Sequence, residues 1–311
     1  MTPGIPRRTL LQALGLGAAA AGIAAGGSRR RPLAAARSSY DFGNPRDSIE
    51  AFTRVRGDVT GKRVFSYTRG RLYVVQPGQP AVPYLGYESG LIDEYRAHGN
   101  AVYLQTRREM MHFIDLESGA LAERVANPIT LRHNRPIHGL VGPLKFAVTP
   151  QGIAFNTHDP AQAPGKPLAL LWETRPASTV VTMETLRRYR NSQQPAEWPG
   201  ASTGEYRCYE DFLSYTVDSA ALHTGRASGL RAQLFYSGQT DLQPWMFVGR
   251  APGHNLWHAT GFKTLRFDEL PREFVALTNR LHPGLWDDPF GYAEKTSSYE
   301  DKLRERMDDA A

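Results

Sequence analysis

The residues of this chain best suited to chemistry are His258 and the adjacent pair Arg108-Glu109. An imidazole titrates near neutral pH, so His258 is a candidate general acid or base. Glu109 could serve as its partner or as an independent acid. Arg108 could hold a carboxylate, or an oxyanion in a transition state. Tyr103, His112, Trp245 and Lys263 are the candidate ligand-binding residues. With the period of a strand, Tyr103 and Gln105 share one face and Val102 and Leu104 the other. His112 lies between Met110 and Ile114. Leu256, His258 and Thr260 share a face, and Trp257, Ala259 and Lys263 take the opposite one. A face that mixes aromatic, amide and imidazole groups is what a polar-apolar ligand cavity presents. The solvent side of an ordinary sheet has a similar composition, and the sequence leaves both readings open.

No metal site is expected. On a strand, His254 and His258 sit about 13 Å apart, too far to share one ion, whereas on a helix or tight loop the spacing would suit a metal. His133 and His138 lie five apart in a polar segment, and nothing local shows a third donor. There is no Gly-x-Ser-x-Gly elbow, no His-Glu-x-x-His, no Cys-x-x-Cys, no haem-attachment motif and no P-loop. No cofactor that announces itself by local sequence is present, and the cofactor is left unknown.

These side chains must be positioned by a β-rich scaffold. Strand signals, aromatic and β-branched, run over 64–68 and 72–76 with Arg69-Gly70 between them as a turn. Others follow at 101–106, 110–115, 120–125, 144–149, 152–156, 168–174, 207–217, 231–237 and 256–265. Helices are expected over 48–56 and, with a basic face, over 182–191. Gln193 to Gly204, with Pro195 and Pro199, reads as a surface loop. Asp268 is a candidate N-cap of a helix with Leu270, Phe274, Leu277 and Leu281 on one face. Ser297 and Glu300 form a capping-box signature for a last charged helix. The expected fold is mainly β, a β-rich α+β single domain on a large antiparallel sheet or barrel, with a few peripheral helices near the C-terminus. Its expected parts are a leader over 1–36, a lead-in over 37–53, the domain over 54–290 and a charged helical tail over 291–311.

The leader is read from Arg7-Arg8-Thr9-Leu10-Leu11, a Gly- and Ala-rich stretch to Gly27, then Arg29-Arg30-Arg31 and a cleavage end at Ala34-Ala35-Ala36. Twin arginines, modest hydrophobicity and basic residues after the apolar stretch point to the twin-arginine export route, hence to a periplasmic or secreted protein. The stretch is too rich in Gly and Ala to make a good membrane span, so no stable membrane anchor is expected. The whole chain carries 37 basic and 31 acidic residues. Removing the leader's five arginines leaves 32 basic residues, a net charge near +1, so no nucleic-acid partner is expected. The single cysteine, Cys208, cannot form an internal disulfide.

From Arg54 to Pro289 the chain resembles the bacterial family catalogued as domain of unknown function 1838. The resemblance rests on Gly57, the Gly70 position, Tyr84-Leu85-Gly86-Tyr87-Glu88, Thr106-Arg107-Arg108-Glu109, Asp115-Leu116-Glu117-Ser118-Gly119 and Asn127-Pro128. It continues through Pro244-Trp245-Met246, Gly249, Pro252-Gly253, His258, Gly261, Lys263 and Asp268-Glu269-Leu270-Pro271. Ala126 departs from the family pattern, where an acidic residue is usual. So does the stretch after Asn127-Pro128, where a Gly-containing turn is expected. The resemblance implies a single domain and supplies no reaction. Two functions follow from the residues: a cofactor-independent lyase, isomerase or hydrolase acting on a small apolar or aromatic molecule in a β-rich cavity, or a carrier using the same cavity without chemistry. The expected partners are that small molecule and the twin-arginine translocation machinery.

Overall fold

The computed structural model describes residues 39–292 and 299–310. The expected leader and the capping residue Ser297 lie outside the described residues. The first element is helix α1 (Pro45–Arg56). The Asn44 side chain accepts from the Arg46 N–H at 2.9 Å and Pro45 occupies the first turn, so the start is capped in the usual way. Ile49, Phe52 and Val55 recur on one side of α1 and are buried. The expected lead-in therefore contains a core helix from Pro45 onward.

The strands follow in two runs. β1 (Val64–Val75), β2 (Val82–Gly99) and β3 (Val102–Ile114) are long and adjacent. A short pair, β4 (Val125–Ala126) and β5 (His133–Asn134), precedes β6 (Gly139–Thr149) and β7 (Gly152–Phe155). The second run is β8 (Leu170–Thr174), β9 (Ser178–Arg190), β10 (Tyr206–Asp218), β11 (Ala232–Thr240) and β12 (His254–Thr264), with helix α2 (Ser219–His223) after β10. Helices α3 (Arg272–Leu281) and α4 (Tyr299–Ala310) end the chain.

Ten of these strands form one antiparallel sheet, ordered β7-β6-β3-β2-β1-β12-β11-β10-β9-β8. Each run is a meander, and β1 pairs with β12 to join the two, with Ser66 opposite Lys263 and Leu72 opposite Trp257. The sheet curls into a half-barrel. Its curl brings the Arg187 guanidinium of β9 to 4.5 Å from the ring of Phe155 on β7, at the far end of the other meander. That contact identifies the concave face. The seam between β1 and β12 is tight: a Cβ on Gly70 would meet the His258 carbonyl at 2.0 Å, and one on Gly261 the Tyr67 carbonyl at 1.9 Å. Only glycine fits such an approach.

This corrects two expectations. Arg69-Gly70 is not a turn but the middle of β1, and Gly70 is there to let β12 approach. The helix expected over 182–191 is not formed; residues 182–190 belong to β9, whose alternation sends Arg187 and Arg188 to opposite faces in register with β10. Two further readings change in detail. The segment 193–204 is not merely a surface loop, since Trp198 is 3% exposed and fills the core. Asp268 does not cap a helix; it pairs with Arg266, and α3 begins after Pro271.

Three apolar clusters fill the fold. One end of the concave face holds α1 against Tyr95, Tyr103, Phe146, Met183, Tyr215 and Leu234. The other end holds an aromatic group that includes Tyr87, Phe113, Trp245 and Trp257. On the convex face, α3 lays Phe274 over Tyr67, Ile92 and Met110. No described helix is long and apolar enough to cross a membrane.

The C-terminal end of α1 is held by Lys263 from β12. Its ammonium donates to the carbonyls of Leu230 at 2.6 Å, Gly57 at 2.7 Å and Arg54 at 3.4 Å. A cation at a helix C-terminus also meets the favourable end of the helix dipole. Carbonyls left dry by its removal each cost about 1–3 kcal/mol, so Lys263→Met is expected to lower stability by about 3 kcal/mol or more. Urea unfolding of the two proteins at one pH measures this.

Candidate functional site

The middle of the concave face, between its two apolar ends, is polar. Each of its strands contributes by alternation. β3 turns Gln105, Arg107 and Glu109 inward, where they face Tyr95, Asp93 and Leu91 of β2. β10 turns Tyr209 and Asp211 inward, β11 adds Tyr236, and β9 adds Arg187. Arg56, the last residue of α1, comes in from the end of the helix and meets Met183 of β9.

Asp93 and Arg107 form a buried bidentate pair with bonds of 2.8 and 2.9 Å, and Gln105 donates to Asp93 at 2.6 Å. Against the pull of burial, Asp93 and then Glu109 hold the Arg107 guanidinium firmly charged. Glu109 lies 3.5 Å from Arg107 and keeps 34% of its side chain accessible, although it is enclosed by the sheet. Burial raises the Glu109 carboxyl above the ordinary carboxylate range. Arg107 opposes the rise, and the charges of Asp93 and Asp211 add to it.

Asp211 has the same character on the facing meander. Tyr236 donates to it at 2.9 Å. Burial raises its carboxyl, and bonds from Tyr236 and Tyr209 with the charges of Arg187 and Arg56 pull the other way. Arg187 stacks on Tyr209 at 4.2 Å and donates to its hydroxyl. The Tyr236 phenol stays neutral, pushed up by burial and by Asp211. Its hydroxyl reaches Asp211 by folding over Gly238, where a Cβ would lie 2.2 Å from that oxygen. Two carboxyls whose pKa values are raised by burial, one from each meander, thus stand among phenols and guanidiniums, the residue types used in general acid/base chemistry.

The residues singled out from the sequence divide between the two faces. Glu109 and Tyr103 are concave, Tyr103 within the apolar cluster around α1. Lys263 is concave, but its amine is spent on the end of α1. Burial draws its pKa down to about 7. Trp245 is fully buried in the aromatic end, 5.3 Å from Phe113 and 6.0 Å from Tyr84. His258 is exposed on the convex face, with its ring 5.7 Å from Tyr73. The expected partnership of His258 with Glu109 is therefore not formed, because odd and even positions of neighbouring strands leave the sheet on opposite sides. Arg108 is also convex and donates to the carbonyls of Pro289, Tyr292 and Gly142, which binds the segment after α3 to the sheet. His112 packs under α3, 2.9 Å from the Thr278 hydroxyl, and burial takes its pKa down to about 3.

Sequence reading missed Arg56, Asp93, Arg107, Arg187, Tyr209, Asp211 and Tyr236. The available signal was a strand with polar groups at every second position, Gln105-x-Arg107-x-Glu109 and Tyr209-x-Asp211. Among the described residues no three His, Cys, Asp or Glu side chains form a group that could hold a metal ion. One open surface depression lies elsewhere, about 850 Å³, lined by Arg124, His133, His138, Phe247 and Arg306 among others.

The chain matches, over residues 61–300, the family model described as "Protein of unknown function (DUF1838)", and it belongs to that family. No curated protein matches it.

The raised carboxyls carry a sign. A carboxyl whose pKa is higher in the folded than in the unfolded protein loses stability as pH rises through that interval, and stays destabilising above it. Glu109→Gln and Asp211→Asn are each expected to raise the unfolding midpoint at pH 7, with the gain vanishing below about pH 4, where both states are protonated. Thermal melts of both variants across pH 3–8 check this.

Proposed function

We propose that this is an exported enzyme, sent to the periplasm or beyond by the twin-arginine route, which works without a cofactor on a small apolar or aromatic molecule. The substrate lies on the concave face between the α1 end and the aromatic end. Glu109 and Asp211 are the acid and base, and the reaction is a proton transfer of the lyase or isomerase kind. The observation that carries this reading is the pair of inward carboxyls, one from each meander, each raised by burial and each within the electrostatic reach of the other. A carrier for an apolar molecule has no use for such a pair, since half-buried acids cost stability and add nothing to apolar binding. Tyr209, Tyr236 and Arg187 supply donors for charge that develops on the substrate, and the apolar ends keep bulk water from the reacting atoms.

Deuterium exchange detects such chemistry before the net reaction is known. The protein is incubated in D2O with a panel of small aromatic and terpenoid ketones and acids, and wash-in is followed by NMR and mass spectrometry. Wild type is expected to label or convert at least one compound, with Glu109→Gln and Asp211→Asn each slower by about 100-fold or more. Binding without exchange or conversion by the wild type would leave a carrier and end the enzyme reading. Changing Arg7-Arg8 to Lys-Lys is expected to leave the protein in the cytoplasm, which cell fractionation measures.

A further inference from the structure

Four arginines of the described chain are buried to 6% exposure or less: Arg54, Arg56, Arg107 and Arg108. Three of them spend their N–H groups on strong acceptors. Arg54 donates to the Tyr40 hydroxyl and to the carbonyls of Leu222 and Ala227. Arg107 has Asp93, and Arg108 has three carbonyls. Arg56 is the exception. Its one hydrogen-bond acceptor is the Met183 thioether at 3.8 Å, its Nε has none, and the ring of Phe52 lies 5.7 Å from its guanidinium carbon. A buried guanidinium without an anion is costly, and proteins keep such a group where something else completes it.

The surroundings of Arg56 are rich in donors and poor in acceptors. The hydroxyls of Tyr95 and Tyr215 are buried without a hydrogen-bond partner, as is that of Tyr87 toward the aromatic end. Tyr95 and Tyr215 pack in one cluster, and the Tyr95 ring lies against Gly57, the residue after Arg56. Glu109 and Asp211 also feel Arg56, but neither makes an ion pair with it.

We propose that this cluster receives the carboxylate of a small organic acid, with Arg56 as its counter-ion and the Tyr95 and Tyr215 hydroxyls as further donors. The inference rests on the concave face being the reaction site, and it names the substrate class: a monocarboxylic acid whose apolar or aromatic body extends from Arg56 toward Glu109 and Asp211. A planar carboxylate fits a guanidinium fork in two parallel bonds and has lone pairs left for the phenols. A phosphate dianion suits the place less well, because two acidic side chains stand beyond it.

The test uses the whole mature protein. The Nε–H resonance of Arg56, assigned by its loss in Arg56→Lys, is followed during titration with phenylacetate, phenylacetamide, acetate and inorganic phosphate. Phenylacetate is expected to shift it saturably, with phenylacetamide and phosphate weaker by about tenfold or more, as the loss of a charge-assisted bond requires. Arg56→Lys and Tyr95→Phe are expected to weaken phenylacetate binding while leaving the fold intact. Arg56→Met is expected to melt higher than wild type in the absence of ligand and to show no thermal response to phenylacetate. Equal binding of acid and amide, no saturable shift with either carboxylate, or a lowered melting point for Arg56→Met would each overturn the proposal. Should Arg56→Met fail to fold, Arg56→Lys carries the binding test. Glu109→Gln is expected to retain phenylacetate binding while losing exchange activity. Loss of the Arg56 effect with exchange still dependent on Glu109 would remove this inference and leave the acid/base reading standing.

Discussion

The pairing of β1 with β12 is the constraint on which the rest of this molecule depends. It is the one long contact between two meanders that are otherwise built from sequence neighbours. Hairpin-connected strands close short loops, whereas β1 and β12 must find each other across nearly the whole domain. Gly70 and Gly261 make the approach close enough for a continuous ladder, and Lys263 opposite Ser66 extends the seam into the end of α1. A single amine thus joins the last strand, the first helix and the Leu230 carbonyl ahead of β11. Without this seam the concave face would have no second half.

The curled sheet then sorts the polar side chains by face. On the convex face, Arg108 holds three carbonyls and His112 meets Thr278, so these polar groups tie α3 and the segment after it to the sheet. On the concave face the middle zone gathers three carboxyls and three guanidiniums, only some of them in close pairs. Asp93 and Arg107 cancel, but Glu109, Asp211 and Arg56 each stand in surroundings that resist their charge. A core built only for stability would replace such groups by apolar residues of similar volume. Their presence between two well-packed apolar ends is the observation on which the proposed site rests.

Much of the scaffold was legible in the sequence because it depends on local rules. The helix expected over 48–56 is present as α1, although Asn44 and Pro45, which lie in the expected lead-in, are its cap and first turn, and β10, β11 and β12 fall close to their expected bounds. What failed failed for physical reasons. Gly70 reads as a turn because the chain shows only that a side chain is missing, not that another backbone needs the space. The segment 182–191 reads as helical because Leu186, Arg187 and Arg188 suit a helix, and cross-strand pairing with β10 overrides that preference. β2, the longest strand, is masked by Gly86 and Gly90, the second of which makes room for Phe274.

The site shows the division most clearly. By itself the sequence determined which residues share a face within one strand: Tyr103 with Gln105, and Trp257 with Ala259 and Lys263, opposite His258. Period two decides that without reference to anything distant. Only the tertiary structure decided which of those faces is concave, and hence that Glu109 works inward while Arg108 and His258 do not. A strand covered on both sides carries apolar residues on both, so alternation cannot name the inner one. That Glu109 feels the charges of Asp211 and Arg56 depends on the curl of ten strands, a property of the whole sheet and of no single segment.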